Sequence, residues 1–500
     1  MKILLPKQIR EVDAKTLAYD NISSKDLMYK ASSAFYNYFQ ELYGDVKGRI
    51  AVVCGTGNNG GDGVTVATLL YNVGRKVDLF IIESSGRGYA DDMHHYYKIA
   101  KGKNIPIGKI RRVEDIPSFE DYGIIIDAIF GTGINRPVEG IYSEVIDSIN
   151  SSGGVVVSLD VPSGVIADRK TEKAVRASAT ITLEVPKLAL FLPDNNRFVG
   201  QLHRVDFGLS AHAIAEAPTD MFYITEQMVR GLLKPIDKFA HKGTQGHALI
   251  IGGSLGKIGS VCLASKGALR AGTGLVTAYV PRCGTVPLQA ALPEAMVIED
   301  GQERVIGGID FDLNPDAIGV GVGMGTANET ANAFLQFLKV NQKPLVIDAD
   351  AINILSKNRG WLSHLQAGTI LTPHPKELSR LIGEWDNDFE KIDRARELAV
   401  KYDINIVIKG AHTLIVTPDK LYVNSSGTPA LATAGSGDVL TGIITALLAQ
   451  GYTPKDAAII GVYIHGYTAN LSEGSIHLRS FIASDIIEGL SGVFMGLRLE

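Results

Sequence analysis

Short, densely apolar runs recur along the chain, and most end in glycine or an acidic residue. The first group is IAVVC (50–54), VDLFII (77–82), GIIIDAIFG (123–131) and GVVVSLD (154–160). Runs of this length, rich in Val and Ile and without alternation, predict strands buried on both faces. Helical patterns lie between them, such as DGVTVATLLYNVG (62–74), and a leading segment over 6–43 carries apolar residues at mixed helical spacing. Strand–helix alternation of this kind predicts a parallel sheet covered by helices on both sides.

A second series follows: HALIIGG (247–253), LVTAYV (275–280), AIGVGVG (317–323), PLVIDAD (344–350), GTILTPH (368–374) and INIVIKG (404–410). Helical patterns stand out at GSVCLASKGALRAG (259–272) and DVLTGIITALLAQG (438–451). Between the two series, SAHAIAEAPTD (210–220) is small, polar and proline-containing, the composition of a domain boundary. The expected organisation is therefore two α/β domains, 1–210 and 225–500, joined by a linker at 211–224. No repeat relates the halves.

Composition narrows the class. A length of 500 residues suffices for two or three buried cores, and 45% hydrophobic against 21% charged content suits a soluble enzyme. The net charge of −5 supplies no general attraction for nucleic acid or an anionic membrane. No stretch approaches the roughly 20 uninterrupted apolar residues of a membrane span. Cys54, Cys262 and Cys283 are too few and too scattered for a disulfide framework, so a cytoplasmic setting is expected. The opening MKILLPKQIREVD meets charge early, and no secretory signal is expected.

Three polar clusters sit at the expected carboxyl ends of the first-half strands, where open parallel sheets bind ligands. They are GTGNNGGDG (55–63), DAIFGTGINRP (127–137) and LDVPSG (159–164). Glycines there bare main-chain N–H groups to a phosphate or another anion. No GK[ST] follows, so the first cluster is not a P-loop, and a tight strand-to-helix turn explains it equally well by itself. Asn59, Asp127 and Ser163 offer oxygen ligands to a hard cation if the three loops converge. Asp160, with Pro162 stiffening the turn behind it, is a candidate general base or acid, with a turn cap as the plainer alternative.

NNGGDG, DAIFGTGINRP and LDVPSG, in that order and spacing, resemble the signature segments of NAD(P)H-hydrate epimerases, over about residues 1–210. The resemblance implies a Rossmann-like three-layer αβα sandwich. Its activity would interconvert the R and S forms of NADHX and NADPHX, the hydrated reduced cofactors. Matched by motif position, Asn59, Asp127 and Ser163 would hold potassium. Asn58, Asn59, Gly60, Gly61 and Asp62, with Gly131, Thr132, Gly133, Ile134, Asn135, Arg136 and Pro137, would line the substrate, and Asp160 would face the reacting ring.

In the second half, TAGSGDVLTG (433–442) runs small residues straight into a helix starting near Asp438. Free N–H groups of Gly435, Ser436 and Gly437, with the helix dipole, form an anion hole, and Asp438 at its edge is placed to accept a hydroxyl proton. That arrangement suits phosphoryl transfer, where alignment and charge neutralisation do most of the catalysis; a Gly-Ser turn capped by Asp438 is the alternative. In TPHPKE (372–377), Glu377 is placed to orient a magnesium-bound water and His374 to bond a substrate. A solvated glutamate at a helix start is the alternative for Glu377. Lys409 of KGAHT (409–413) is a candidate phosphate neutraliser, against the commoner snorkelling lysine.

These segments resemble the ribokinase-like superfamily, whose anion-hole motif GSGD fits. His374 stands where the superfamily's magnesium motif has asparagine, which argues against a sugar kinase. LIIGGS, GVGMG, DADAIN, TPHPKE, IKGAHT and AGSGDVLTG are similar to the ADP- or ATP-dependent NAD(P)H-hydrate dehydratases, over about residues 225–500. This resemblance implies a ribokinase-like αβα domain in which a nucleotide phosphorylates the ring hydroxyl of the S hydrate. Phosphate, a better leaving group than hydroxide, then departs and the dihydronicotinamide is regenerated.

In that scheme Asp438 deprotonates the hydroxyl. Lys409, Gly410, Ala411, His412 and Thr413, with Gly435, Ser436 and Gly437, contact the nucleotide. Gly323 and His374 bind the hydrate, and Glu377 acts on magnesium through water. ADP is the implied donor, with ATP left open, and a homo-oligomer without nucleic-acid or membrane partners is expected. The joint expectation is a bifunctional repair enzyme: the epimerase feeds the R form to an S-specific dehydratase. The alternative is a vitamin-precursor or sugar kinase carrying a non-catalytic binding module.

Overall fold

The protein is described by a computed structural model covering residues 1–83 and 88–497. It divides into two compact units. One holds Lys2–Thr219 with Asn387–Phe389; the other holds Asp220–Asp386 and the chain from Glu390 onward, with Met1.

The first unit is built on seven strands: β1 Arg49–Cys54, β2 Lys76–Ile82, β3 Ile107–Ile110, β4 Ile124–Ala128, β5 Val155–Leu159, β6 Ala179–Leu183 and β7 Gln201–Val205. All pair in parallel, in the order β3-β2-β1-β4-β5-β6-β7. β1 and β4 are buried along nearly their whole length, as their apolar runs predict, and β6 is buried throughout as well. One face of the sheet packs around Phe35, Phe39, Leu70 and Met93, and the other around Phe119, Val145 and Ile149.

The leading segment forms two helices, Pro6–Asp20 and Ser24–Tyr43. The second starts from a reciprocal cap: the Ser23 hydroxyl accepts from the Asp26 amide, and the Asp26 carboxylate accepts from the Ser23 amide. β3, β6 and β7 were not among the expected strands. β7 carries Gln, His and Arg at the sheet edge, and β6 carries buried threonines, so neither presents the apolar run that marked the others.

The second unit has a ten-stranded sheet: β8 Met221–Tyr223, β9 His247–Ile251, β10 Leu275–Val280, β11 Met296–Glu299, β12 Ala317–Val320, β13 Leu345–Ile347, β14 Ile370–Leu371, β15 Asn405–Ile408, β16 Leu414–Val416 and β17 Leu421–Val423. Their order is β11-β10-β9-β12-β13-β14-β15-β16-β17-β8. The run from β11 to β15 is parallel, while β16 pairs antiparallel to both of its neighbours. The stretch expected to be a linker carries structure. Ser210 caps the helix Ala211–Glu216, and β8 adds in parallel to β17. Ala213 on that helix and Ala217 just after it bury their methyl groups, so these small residues signal close packing rather than a loose connection.

The helix Ser436–Ala449 is apolar nearly all round and sits in the core. It lies so close to the helix Ile258–Arg270 that a Cβ on Gly442 would stand 1.9 Å from the Ala264 carbonyl oxygen.

Candidate functional site

Each unit has a point where its strand order reverses, and most of its motifs follow the carboxyl ends of strands at that point or beyond it. In the first, that point falls between β1 and β4, whose carboxyl ends lead into 55–63 and 129–137. A crevice opens at such a switch point.

NNGGDG is the start of a helix, Asn58–Asn72, and not a free loop. Gly57 provides no side-chain cap, so the amides of the first turn, Asn58 to Gly60, are left for a ligand or water. The glycines themselves serve packing. A Cβ on Gly60 would lie 2.0 Å from the Gly55 oxygen, and one on Gly63 would lie 2.5 Å from the Ala128 Cβ. Bare backbone toward an anion therefore belongs to the first turn, while the later glycines let the helix settle on the sheet. The 131–137 loop is half-buried to exposed, and a Cβ on Gly131 would stand 3.2 Å from Asn59 Oδ1.

Asp127 is the last residue but one of β4 and is fully buried. Its carboxylate accepts from the Ser163 hydroxyl at 2.5 Å, the Ser163 amide at 2.8 Å, the Ser158 hydroxyl at 2.8 Å and, more weakly, the Ile129 amide at 3.3 Å. Burial pushes its pKa up, against the lowering effect of those bonds. Ser163 Oγ also accepts from the Phe130 amide at 2.8 Å. Asn59 is tied to this spot through Gly131, and its Nδ2 is buried without a partner. Among the described residues no lysine or arginine pairs with Asp127. The Asp127 carboxylate thus meets two hydroxyls and two main-chain amides, all of them neutral donors. No group of three or more His, Cys, Asp or Glu suited to a transition metal occurs among the described residues.

Asp160 follows β5 and takes a left-handed backbone conformation, φ 68°. Its Oδ1 accepts from the Lys187 ammonium, the Thr182 hydroxyl (3.2 Å) and the Leu183 amide (3.0 Å). Two more carboxyls share this neighbourhood. Asp62 accepts from the Ser32 hydroxyl at 2.9 Å, and burial, with Asp160 and Asp13 nearby, pushes its pKa up to about 8. Asp13 rises to about 6 through burial and the Asp160 charge, offset in part by Lys187. Sequence reasoning missed Lys187 and Asp13. The available signal for Lys187 was a lone charge inside VPKLALFLP (185–193).

In the second unit the reversal lies between β9 and β12. Gly435 caps the helix Ser436–Ala449 in a left-handed conformation, φ 85°, which glycine tolerates best. The helix thus begins two residues before the expected Asp438, which becomes its third residue. The Ser436 amide turns to the Thr433 carbonyl at 3.4 Å, leaving Gly437 and Asp438 to present their N–H groups. The Ser436 carbonyl and hydroxyl both meet the ring Nε2 of His465, at 3.0 and 3.2 Å. His465 is buried, and burial lowers its pKa to about 4, so it is neutral and its Nε2–H donates to the carbonyl.

Lys409 reaches the same helix start from the end of β15. Its Nζ would be 3.4 Å from a Cβ on Gly437. It donates to Asp348 at 2.8 Å and approaches Glu377 at 4.0 Å. Burial works against the ammonium, but the Asp348 and Glu377 charges prevail and its pKa is raised. Asp348, itself buried, also accepts from Thr441 Oγ1 at 2.8 Å, tying the lysine to the helix. Asp438 is half-buried, and its pKa rises to about 6, chiefly through burial. Ser260 donates to it, and Lys409 offsets part of the rise.

Glu377 is buried, not solvated, and forms a reciprocal cap with His374. Its Oε2 accepts the His374 amide at 2.9 Å, and His374 Nδ1 accepts from the Lys376 amide at 3.1 Å. The other ring nitrogen of His374, Nε2, lies 3.5 Å from Glu377 Oε1, so both edges of the imidazole face this helix start. Gly323 is held at φ 59°, and its carbonyl accepts from the Ser254 hydroxyl at 2.8 Å. Gly410 and Thr413 close a turn through the Thr413 hydroxyl, 3.1 Å from the Gly410 carbonyl; Ala411 is exposed there, and burial lowers the pKa of His412. Sequence reasoning assigned no role to Asp348 or His465.

Fold and geometry thus define two α/β units: a parallel, Rossmann-type sheet with a buried carboxylate and a clamped aspartate, and a second, mostly parallel sheet with an aspartate and a buried lysine at a helix start. Family models match both, "YjeF-related protein N-terminus" over residues 24–189 and "NAD(P)H-hydrate dehydratase" over 248–490. The bifunctional NAD(P)H-hydrate repair enzyme of Thermofilum pendens is 33% identical over 94% of this chain and 92% of its own. Those of Moorella thermoacetica and Escherichia coli are 34% and 32% identical over 90% and 94% of this chain, covering 88% and 89% of their own.

Among solved structures, the ADP/ATP-dependent NAD(P)H-hydrate dehydratase of Bacillus subtilis, co-crystallised with ATP and magnesium, is similar to 56% of this chain. It matches over all of its own length, at 30% identity and a TM-score of 0.50. The chain belongs to the bifunctional NAD(P)H-hydrate repair enzymes, and its second unit is similar in fold to the Bacillus subtilis dehydratase.

Proposed function

We propose that the second unit dehydrates the S form of hydrated NADH and NADPH at the expense of ADP, with ATP as an alternative donor, and that the first unit epimerises the R form into that pool. The observation that carries this reading is Asp438. A carboxyl raised to about 6 lies in the first turn of a core helix whose N-cap, Gly435, offers no side-chain hydrogen bond, with the Lys409 ammonium beside it.

At neutral pH Asp438 is ionised yet basic enough to take the proton of a ring hydroxyl. The hydroxyl oxygen attacks the terminal phosphorus of the nucleotide as the phosphoanhydride bond breaks. Gly437 and Asp438 amides with Lys409 balance the phosphate charge. The ring phosphate then leaves with its bonding electrons, a proton is lost from the neighbouring carbon, and AMP, inorganic phosphate and the dihydronicotinamide remain. His374 and the Gly323 turn are assigned to the hydrate, and Glu377 to magnesium through water.

In the first unit, Asn59, Asp127 and Ser163 would hold potassium, whose charge offsets the buried Asp127 carboxylate and anchors the phosphate-facing turn. The first-turn amides from Asn58 to Gly60 and the 131–137 loop border the substrate there. Asp160 takes and returns the proton at the reacting ring.

The test is incubation of mixed R,S-NADHX with ADP and magnesium, following the reduced-nicotinamide absorbance. Consumption of both epimers with release of inorganic phosphate supports two working sites. A halt at the S fraction removes the epimerase assignment. A stable phosphorylated product in place of free phosphate returns the second unit to a kinase.

A further inference from the structure

The end of β6 shows an arrangement that the motif residues do not explain. Two neighbouring parallel strands each end in a non-glycine residue with a left-handed backbone: Asp160 after β5 (φ 68°) and Glu184 after β6 (φ 53°). Such conformations persist only where their surroundings enforce them, and they gather at functional sites. Glu184 is enforced by its own carboxylate, whose Oε2 accepts the amides of Phe207 (2.8 Å) and Gly208 (2.9 Å). The turn so made folds the chain back over the strand end and delivers Lys187 beneath it.

Lys187 is buried, 3% exposed. A lysine ammonium has three N–H donors, and all three are spent. One goes to Asp160 Oδ1, one to Thr182 Oγ1 at 3.1 Å and one to the Leu183 carbonyl at 2.9 Å. Thr182 in turn donates to the same Asp160 oxygen, and the Leu183 amide adds a third bond to it. Every contact lands on Oδ1. Oδ2 receives no hydrogen bond among the described residues, and the Asp160 side chain is 14% exposed where that of Lys187 is 4%. A lysine serving only as a staple for the fold would have no reason to saturate one carboxylate oxygen and spare the other. The raised pKa values of Asp13 and Asp62 show how strongly this neighbourhood crowds carboxyls, with Lys187 as the cation that offsets Asp13.

We propose that Lys187 is the positioning residue of the first unit's site: with Thr182 and Leu183 it clamps Asp160 by one oxygen and presents the other to the reacting ring. The proposal rests on the epimerase reading of that site. Lys187 does not touch substrate; it acts through the direction and charge of Asp160.

The experiment uses the full chain, ADP and magnesium with mixed R,S-NADHX, and resolves the fast S phase from the R phase limited by epimerisation. Lys187→Met should slow the R phase about 100-fold at saturating substrate, the scale on which a misplaced catalytic group loses rate, with KM for the R form changed by less than about threefold. The S phase should be unchanged. Lys187→Arg should recover most of the loss, and Thr182→Val, which removes one bond to the clamped oxygen, should cost about tenfold in the same parameter. An R phase in Lys187→Met within about threefold of the parent, or a loss borne by KM with kcat intact, overturns the proposal. Should Lys187→Met fail to fold, Thr182→Val at full rate overturns it and the tenfold loss upholds it. Asp160→Asn separates the two levels. If it keeps a full R phase, the epimerase reading of the site falls; if it is inactive while Lys187→Met is not, only the clamp falls.

Discussion

Below pH 6 the second unit should lose its dehydration rate, and Asp438 should be the reason. Its carboxyl rises from 3.8 to about 6, with burial as the largest cause. A base works only when ionised, so the activity is present above that value and is lost as pH falls through it. At pH 7.5 more than about nine-tenths of the enzyme carries the working form; at pH 5 only about one-tenth does. The kcat/KM for S-NADHX should therefore drop about tenfold between those pH values, where a carboxyl at 3.8 would give almost none.

The structure also says which way the limb moves when a neighbour is removed. Ser260 donates a hydrogen bond that favours the ionised form. Ser260→Ala should move the limb to higher pH while the plateau above pH 8 stays within about twofold, because the base itself is intact. Asp438→Asn should cost about 100- to 10,000-fold on the plateau, the range expected for a lost general base. The terminal phosphate of the nucleotide also ionises near pH 6 and could mimic the limb. The residual activity of Asp438→Asn distinguishes them: a limb that survives in this variant belongs to the nucleotide. That survival, or a Ser260→Ala profile superimposable on the parent, would refute the assignment of the limb to Asp438.

Three further outcomes follow from the packing. His465 falls from 6.5 to about 4 on burial, so the unfolded chain takes up a proton that the native form refuses. Stability is complete above pH 6.5 and declines as pH falls toward 4, by up to about 3 kcal/mol, and His465→Gln should flatten that decline in urea midpoints measured at pH 4.5 and 7.5. Asp62 runs the opposite way. Its native form holds a proton up to about pH 8, so the penalty for ionising it is absent below 3.8 and grows as pH rises between those values. Asp62→Asn should gain more at pH 8 than at pH 5, by about 2–4 kcal/mol once the partial solvent contact of the side chain is discounted, read as the difference in melting midpoint. Gly442→Ala pushes a methyl group against the Ala264 carbonyl and should destabilise the second unit by about 1–3 kcal/mol, seen as a lowered thermal midpoint and a slower S phase.

What the sequence discloses here, and what it withholds, divides by the range of the interactions. The strands beside both switch points are continuous apolar runs of local origin, so β1, β4, β9 and β12 and the clusters at their ends stand out without a structure. Edge strands such as β3 and β7 do not, because half of their residues meet solvent and break the pattern. The site splits in the same way. Asn59, Asp127, Asp160 and Asp438 lie at strand ends and helix starts in or beside glycine-containing segments whose composition already announces close approach.

Lys187, Asp348 and His465 act from outside those turns, and their partners are 27, 61 and 29 residues distant along the chain. Each is nevertheless marked by the same anomaly. Lys187 is the one charge in an apolar stretch, Asp348 ends a buried strand, and His465 sits inside the core-facing GVYIHGYTA of the helix Pro454–Leu471. Burying a polar group unpaired costs about 1–3 kcal/mol, so each of the three needed a partner somewhere in the fold. Pattern alone says that such a partner exists; only the sheet order says which one, because it brings β5 beside β6, β13 within one strand of β15, and the Ser436–Ala449 helix against the next.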